Sequence, residues 1–202
     1  MGTFLVVGGS RGYGCQIAFT LQGTKHKVYT LQRTPPPDGI WGEMWFEQDL
    51  EDFAKTALTV HAFVSDEVVL DGVVFAAAAN EKRDHRVLNA FDLRDHLETN
   101  VIAPTLMLRY LGEHGVLKPN GVAIFLLDDR ELEPDRLPYM VSKAAIRPVV
   151  DTFFRSFHHQ IRIVYVCPPP STVPGSEDIV TETIRKVLTG ETEILGNLID
   201  LR

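Results

Sequence analysis

The sequence predicts an α/β fold built on a doubly wound parallel sheet of about seven strands, with helices on both faces. Three observations carry this expectation. Short apolar, β-branched runs recur along the chain, and most lack period-two alternation, which suits strands buried on both faces. Segments of helical periodicity lie between them, so strands and helices alternate as in right-handed βαβ units. The first apolar run ends in a glycine-rich stretch and passes directly into a helical pattern.

The elements follow in chain order. Strands are expected at Thr3–Val7, Lys27–Leu31, Met44–Phe46, Gly72–Phe75, Val122–Leu127, Arg162–Cys167 and Leu198–Leu201. Helices are expected at Tyr13–Gln22, Glu51–Phe63, Leu93–Leu111, Tyr139–Phe157 and Ile179–Leu188. One connection breaks the alternation. Residues 34–43, TPPPDGIWGE, hold three prolines and two glycines, so a loop replaces a helix there. No internal repeat, low-complexity tract or interdomain linker divides the 202 residues, which are expected to form a single nucleotide-binding domain.

Composition narrows the functional classes. Hydrophobic residues make up 45% and charged residues 23%, which is ordinary for a soluble globular protein. No apolar run approaches the roughly 20 residues of a membrane span. The opening MGTFLVV enters a strand without a basic segment or cleavage signal, so the expected location is the cytoplasm. The two cysteines, Cys15 and Cys167, stand in apolar surroundings and read as reduced core thiols. A net charge of −7 without a basic block argues against nucleic acid and anionic membrane partners. No metal-ligand spacing is present.

The stretch FLVVGGSRGYGCQIAF, residues 4–19, carries the first functional signal. It is a strand, a turn and a helix inside a βαβ unit, the context in which a glycine-rich turn counts as dinucleotide-binding. A helix N-terminus presents unpaired N–H groups and partial positive charge to a pyrophosphate. Glycine lets the backbone turn sharply and the phosphate approach closely. The expected fold is therefore Rossmann-like. The spacing is Gly8-x-x-x-Gly12-x-Gly14 rather than G-x-G-x-x-G.

Further along stand Asp49-Leu50 after the third strand, AAAA at 76–79 after the fourth, Asn100 in a long helix, and YMVSK at 139–143 followed by Ala144 and Ala145. In this order, on these elements, the set resembles the short-chain dehydrogenase/reductase family, whose first turn commonly reads TGxxxGxG and whose active site carries YxxxK. The resemblance spans nearly the whole chain. It implies an NADP(H)- or NAD(H)-dependent oxidoreductase acting on a small-molecule substrate. It implies cofactor contacts at Gly8, Ser10, Arg11, Gly12, Tyr13, Gly14, Arg33, Asp49, Leu50, Ala76, Ala77, Ala78, Tyr139, Lys143, Pro168 and Thr172. It implies catalytic roles for Tyr139, Lys143 and Asn100, and a homodimer or homotetramer paired through the two long helices.

The second strand ends in Gln32 and Arg33, where NAD-dependent members tend to place an acid for the ribose 2′-hydroxyl. Arg11 and Arg33 suit a doubly anionic 2′-phosphate, which favours NADP(H). Tyr139 and Lys143 are four apart on a helix and share a face. A phenol with an ordinary pKa near 10 is too weak an acid for neutral pH, and a neighbouring ammonium lowers it. Tyr139 would then donate a proton to a carbonyl oxygen. Lys143 would hold the nicotinamide ribose, and Asn100 would support a water leading from Lys143 to solvent.

The pattern also departs from the family. Val7 replaces the usual threonine, and Ala76–Ala79 replace NNAG. Pro169 replaces the glycine of the family's Pro-Gly after the sixth strand, which leaves Ser171 or Thr172 to reach the carboxamide. No serine or threonine lies between Val122 and Tyr139, so the family's catalytic serine is missing and Asp128 falls at or beside its position. An ionised aspartate cannot donate to a developing oxyanion. Asp128 is then protonated by burial, turned away, or faces a cationic or N–H-bearing substrate such as an iminium or a dihydropterin. The chain after Pro170 is short, which implies an open site. Three readings stand: an NADPH-dependent reductase of a carbonyl, imine or pterin-like group; an NADP(H)-binding sensor or scaffold without turnover; and an isomerase or dehydratase using the same residues.

Overall fold

Alternating residues of the strands feed two separate cores, so the central strands lie between two layers of helix. The computed structural model describes residues 1–35, 45–79, 88–127, 134–155, 161–169, 173–192 and 197–201. Strands are β1 (Thr3–Val7), β2 (Lys27–Gln32), β3 (Trp45–Glu47), β4 (Leu70–Phe75), β5 (Leu117–Leu126), β6 (Ile161–Cys167) and β7 (Leu198–Asp200). They form one parallel seven-stranded sheet in the order β3-β2-β1-β4-β5-β6-β7. Helices are α1 (Gly12–Gly23), α2 (Phe53–Ser65), α3 (Ala90–Leu97), α4 (Ala103–Glu113), α5 (Leu137–Arg155) and α6 (Ser176–Thr189).

On one face Leu5, Val7, Leu31, Val73, Phe75 and Phe125 pack with Phe63 of α2, Met107, Leu108 and Leu111 of α4, and Ile146 and Val150 of α5. On the other, Phe4, Val6, Val28, Val74, Ile124 and Val164 pack with Ile17, Ala18 and Leu21 of α1 and Val180, Ile184 and Val187 of α6. This two-sided burial is the reason the strands read as continuous apolar runs. The chain leaves β1 for β2 on one side and reaches β4 on the other. The switch point therefore lies between β1 and β4, at the C-terminal ends of the strands, where open α/β sheets bind ligands.

Several expected boundaries change. The helix expected at Leu93–Leu111 begins at Ala90, capped by Asn89, which accepts from the Phe91 and Asp92 N–H groups. It is also not one α-helix, because a π turn at Glu98–Ile102 separates α3 from α4. Apolar periodicity does not register a single inserted residue. The strand expected at Gly72–Phe75 starts at Leu70, and β5 starts at Leu117 rather than Val122. The stretch Lys118–Gly121 had hidden the start of β5, since proline and glycine weaken a strand pattern. The β4–β5 register shifts there, from Leu70↔Leu117 to Gly72↔Val122. The helix expected at Glu51–Phe63 runs Phe53–Ser65, and α6 starts at Ser176 instead of Ile179. Helix α5 begins two residues before Tyr139 and continues past Pro148. Met44 and most of the proline-rich loop lie outside the described residues.

Candidate active site

The glycine turn forms the floor of a cleft of about 410 Å³ at the switch point. Gly8 follows β1 with φ +92°, and its N–H donates to the Leu31 carbonyl at 2.7 Å. A Cβ there would stand 2.4 Å from the Ala77 nitrogen, so only glycine lets the turn lie against the strand-end segment 76–79. Gly14 has another task. Its Cβ would meet the Gly8 carbonyl oxygen at 2.2 Å, so it lets α1 pack onto the turn. Gly12 opens to free space. Arg11 precedes α1 in extended conformation and makes no side-chain cap, and the first turn holds no acidic residue. The N-terminal N–H groups of α1 are thus left to a ligand, as an anion site requires.

The cleft is lined by Gly8, Ser10, Arg11, Gly12, Tyr13, Arg33, Asp49, Leu50, Ala76, Ala77 and Ala78, all expected from the sequence. Leu31, Gln32, Thr34, Gln48, Glu51, Ala79 and Thr99 complete it. Gln48 is 2% exposed and donates to the carbonyls of Asp49 (2.6 Å) and Asp52 (3.2 Å), while its Oε1 accepts from Thr59 (3.0 Å). It fixes the loop that presents Asp49 and Leu50. Arg33 stands 4.0 Å from the Asp49 carboxylate, both of them substantially exposed. On the other wall the Tyr13 hydroxyl reaches the Pro169 carbonyl at 3.4 Å, and Pro168 and Pro169 are buried.

Beyond Ala79 the site becomes a buried polar cluster. Asn100, in the π turn, is 4% exposed. Its Oδ1 accepts from the Ala79 N–H at 2.8 Å, and its Nδ2 donates to the Ala79 carbonyl at 2.9 Å and to Ser142 Oγ at 2.8 Å. Ser142 donates in turn to the Tyr139 carbonyl at 2.6 Å. Lys143 is 9% exposed, and its Nζ donates to the Leu126 carbonyl at 3.0 Å and stands 5.8 Å from the Tyr139 ring centroid. Tyr139 is 8% exposed. Strand β5, the π turn and helix α5 therefore bring Asn100, Tyr139 and Lys143 together beside the wall of the cleft, through Ala79 and Leu126. The π turn fits this placement, since such bulges often carry functional groups.

Gly14, Tyr139, Lys143 and Pro168 adjoin the cleft without lining it. Asp128 and Thr172 lie outside the described residues. Ser142 went unnoticed in the sequence, although its position three residues after Tyr139 placed it on the same helical face. Gln48 carried no local signal at all. Both cysteines are free, and burial pushes the Cys15 thiol above its ordinary value. No group of three or more metal-ligating side chains occurs among the described residues, and none of their helices is long and apolar enough to cross a membrane.

No protein-family model matches the chain, and no curated protein sequence matches it. Solved structures do. A Brucella ovis oxidoreductase of the short-chain dehydrogenase/reductase family, in complex with a partially ordered NAD, superposes with a TM-score of 0.84 at 20% identity, covering 100% of this chain and 99% of that one. A 4-hydroxyisoleucine dehydrogenase complexed with NADH and succinate gives 0.83 at 15% identity, covering 98% and 97%. BdcA in complex with NADPH gives 0.76 at 19% identity, covering 98% and 93%. The chain has the fold of short-chain dehydrogenase/reductase proteins over its whole length.

Proposed function

We propose that the protein is an NADPH-dependent oxidoreductase that reduces a carbonyl, imine or pterin-like group of a small molecule. The observation that carries this reading is the burial of Tyr139 and Lys143 together beside a cleft whose floor is an uncapped helix N-terminus. The nicotinamide cofactors in the superposed structures support the choice of ligand. The cleft suits it, with free N–H groups at α1 for the pyrophosphate, Asp49 and Leu50 for the adenine end, and Ala76–Ala78 as a wall without bulky side chains. Arg11 and Arg33 line the mouth and are both exposed, with no acid at position 32, and this favours a 2′-phosphate over a bare hydroxyl.

The cofactor supplies the hydride. The chain supplies the rest. Tyr139 donates the phenolic proton to the substrate oxygen or nitrogen. The Lys143 ammonium favours the phenolate that remains. It also offers N–H donors to the ribose hydroxyls, in exchange for or alongside its bond to Leu126. Asn100 holds both catalytic elements against the cleft wall. Its side-chain amide is committed to Ala79 and Ser142, so the water relay from Lys143 falls to the backbone of the π turn. On the substrate side, an Asp128 carboxylate would favour a cationic or N–H-bearing group over a neutral ketone.

The test is NADPH oxidation against a panel of carbonyls, cyclic imines and dihydropterins. Tyr139→Phe keeps the ring's packing and removes the proton donor. Turnover should fall by about 10²–10⁴-fold with cofactor binding kept, the usual contribution of positioned acid–base catalysis. A cofactor-binding protein that turns over nothing in the panel would instead be the sensor or scaffold of the alternative reading.

A further inference from the structure

We propose that the cavity at the N-terminal edge of the sheet is a second binding site, for a small organic anion with an apolar body. This open cavity, of about 540 Å³, lies where β1, β4, β5 and β6 begin. Its floor is apolar, made by Phe4, Val122 and Leu188.

The rim is rich in donors. Arg162, near the start of β6, gives one N–H to the Val187 carbonyl at 3.3 Å and has no carboxylate partner among the described residues. His26 accepts the Gly2 N–H at Nδ1 (3.0 Å), so in the neutral ring the proton sits on Nε2 as a further donor. Burial favours that neutral ring. Lys118 and Asn120 come from the shifted start of β5, and such irregularities re-aim side chains. The cavity lining holds one carboxylate among the described residues, Asp71, and it is already satisfied. It takes the Thr3 N–H at 2.7 Å and the Lys118 ammonium. Lys118 and Arg162 outweigh Asp71 here, in a chain whose net charge is −7.

Donors above an apolar floor select one chemistry. A carboxylate or phosphate group meets the planar guanidinium, and a ring or short aliphatic body covers the floor. A hydrated inorganic ion fills only the rim. Strand β1 runs from this cavity to Gly8, so the site is separate from the cofactor cleft by the length of the strand. The inference does not rest on the reductase reading.

Calorimetric titration of the full chain with benzoate and, separately, with inorganic phosphate tests it. Saturable benzoate binding is expected, tighter than phosphate. Arg162→Gln should weaken it by about tenfold, the scale of one charge-assisted hydrogen bond. Asn120→Asp, at an exposed position, should weaken it too by adding a carboxylate to the rim, and it decides the matter alone should the arginine variant not fold. Arg33→Ala, in the other cleft, should change nothing. The proposal is overturned by absence of saturable benzoate binding up to about 10 mM. Undiminished binding in both rim variants, or loss of binding with Arg33→Ala, overturns it as well. Phosphate binding as tightly as benzoate refutes the apolar body.

Discussion

Replacing Asn100 with alanine should unfasten the wall of the cofactor cleft. The side chain is 4% exposed and makes three hydrogen bonds, two to the peptide groups of Ala79 and one to Ser142 Oγ. Each bond contributes about 1 kcal/mol net, and a buried backbone group left without a partner costs about 1–3 kcal/mol. Water entering beside Ala79, which is only half-buried, recovers part of that cost. The balance is a loss of about 2–4 kcal/mol. For a chain of this length that corresponds to a fall in Tm of about 5–15 °C. Asn100→Asp should not rescue it, because a carboxylate accepts from the Ala79 N–H but repels the Ala79 carbonyl. Urea denaturation followed by circular dichroism, with cofactor affinity measured in parallel, reads both consequences. Affinity should fall, since Ala76–Ala79 line the cleft. A midpoint unchanged in both variants would refute the clamp.

Arg33→Ala should weaken NADPH binding by about tenfold, the lower end for a charged hydrogen bond, because the side chain is 55% exposed and already lies near Asp49. NADH binding should hardly change, and fluorescence titration with the two cofactors separates these outcomes. His26 makes stability depend on pH. Burial, then the N-terminal ammonium and Arg185, hold its pKa below 6.5 against the opposing pull of Asp71 and Glu191. Its contribution is therefore full above the unfolded value and is lost as pH falls through the lower folded one. Denaturant midpoints at pH 7.5 and 5 should differ less in His26→Asn than in the unmodified chain. Glu182 and Glu191, held down to about 2 by Arg185, act only in a lower window, below about pH 4.5. The outward face of α5 exposes Val141 and Val149, and the π turn before α4 exposes Ile102, which supports pairing of two copies through these helices. Sedimentation should find dimers or tetramers at micromolar concentration, and Val141→Asp should shift them toward monomer.

Some of this protein is local, and the sequence alone determined it. The β-branched runs specify strands because both faces are buried. Gly8 and Gly12 are the residues that a left-handed turn demands, and Tyr139 and Lys143 share a face because a helix repeats every 3.6 residues. Other features exist only once distant segments meet. Gly14 reads as a phosphate-side glycine, yet its missing Cβ makes room for the Gly8 carbonyl. Asn100 reads as a catalytic group, yet its amide is spent on a peptide 21 residues away. The π turn that aims it leaves no trace in apolar spacing, because one extra residue per turn changes the hydrogen-bond ladder and not the composition. The basic cavity below the sheet draws its residues from several strand beginnings and from the end of α6. No stretch of chain contains it, since parallel strands bring together positions that the intervening helices keep far apart in sequence.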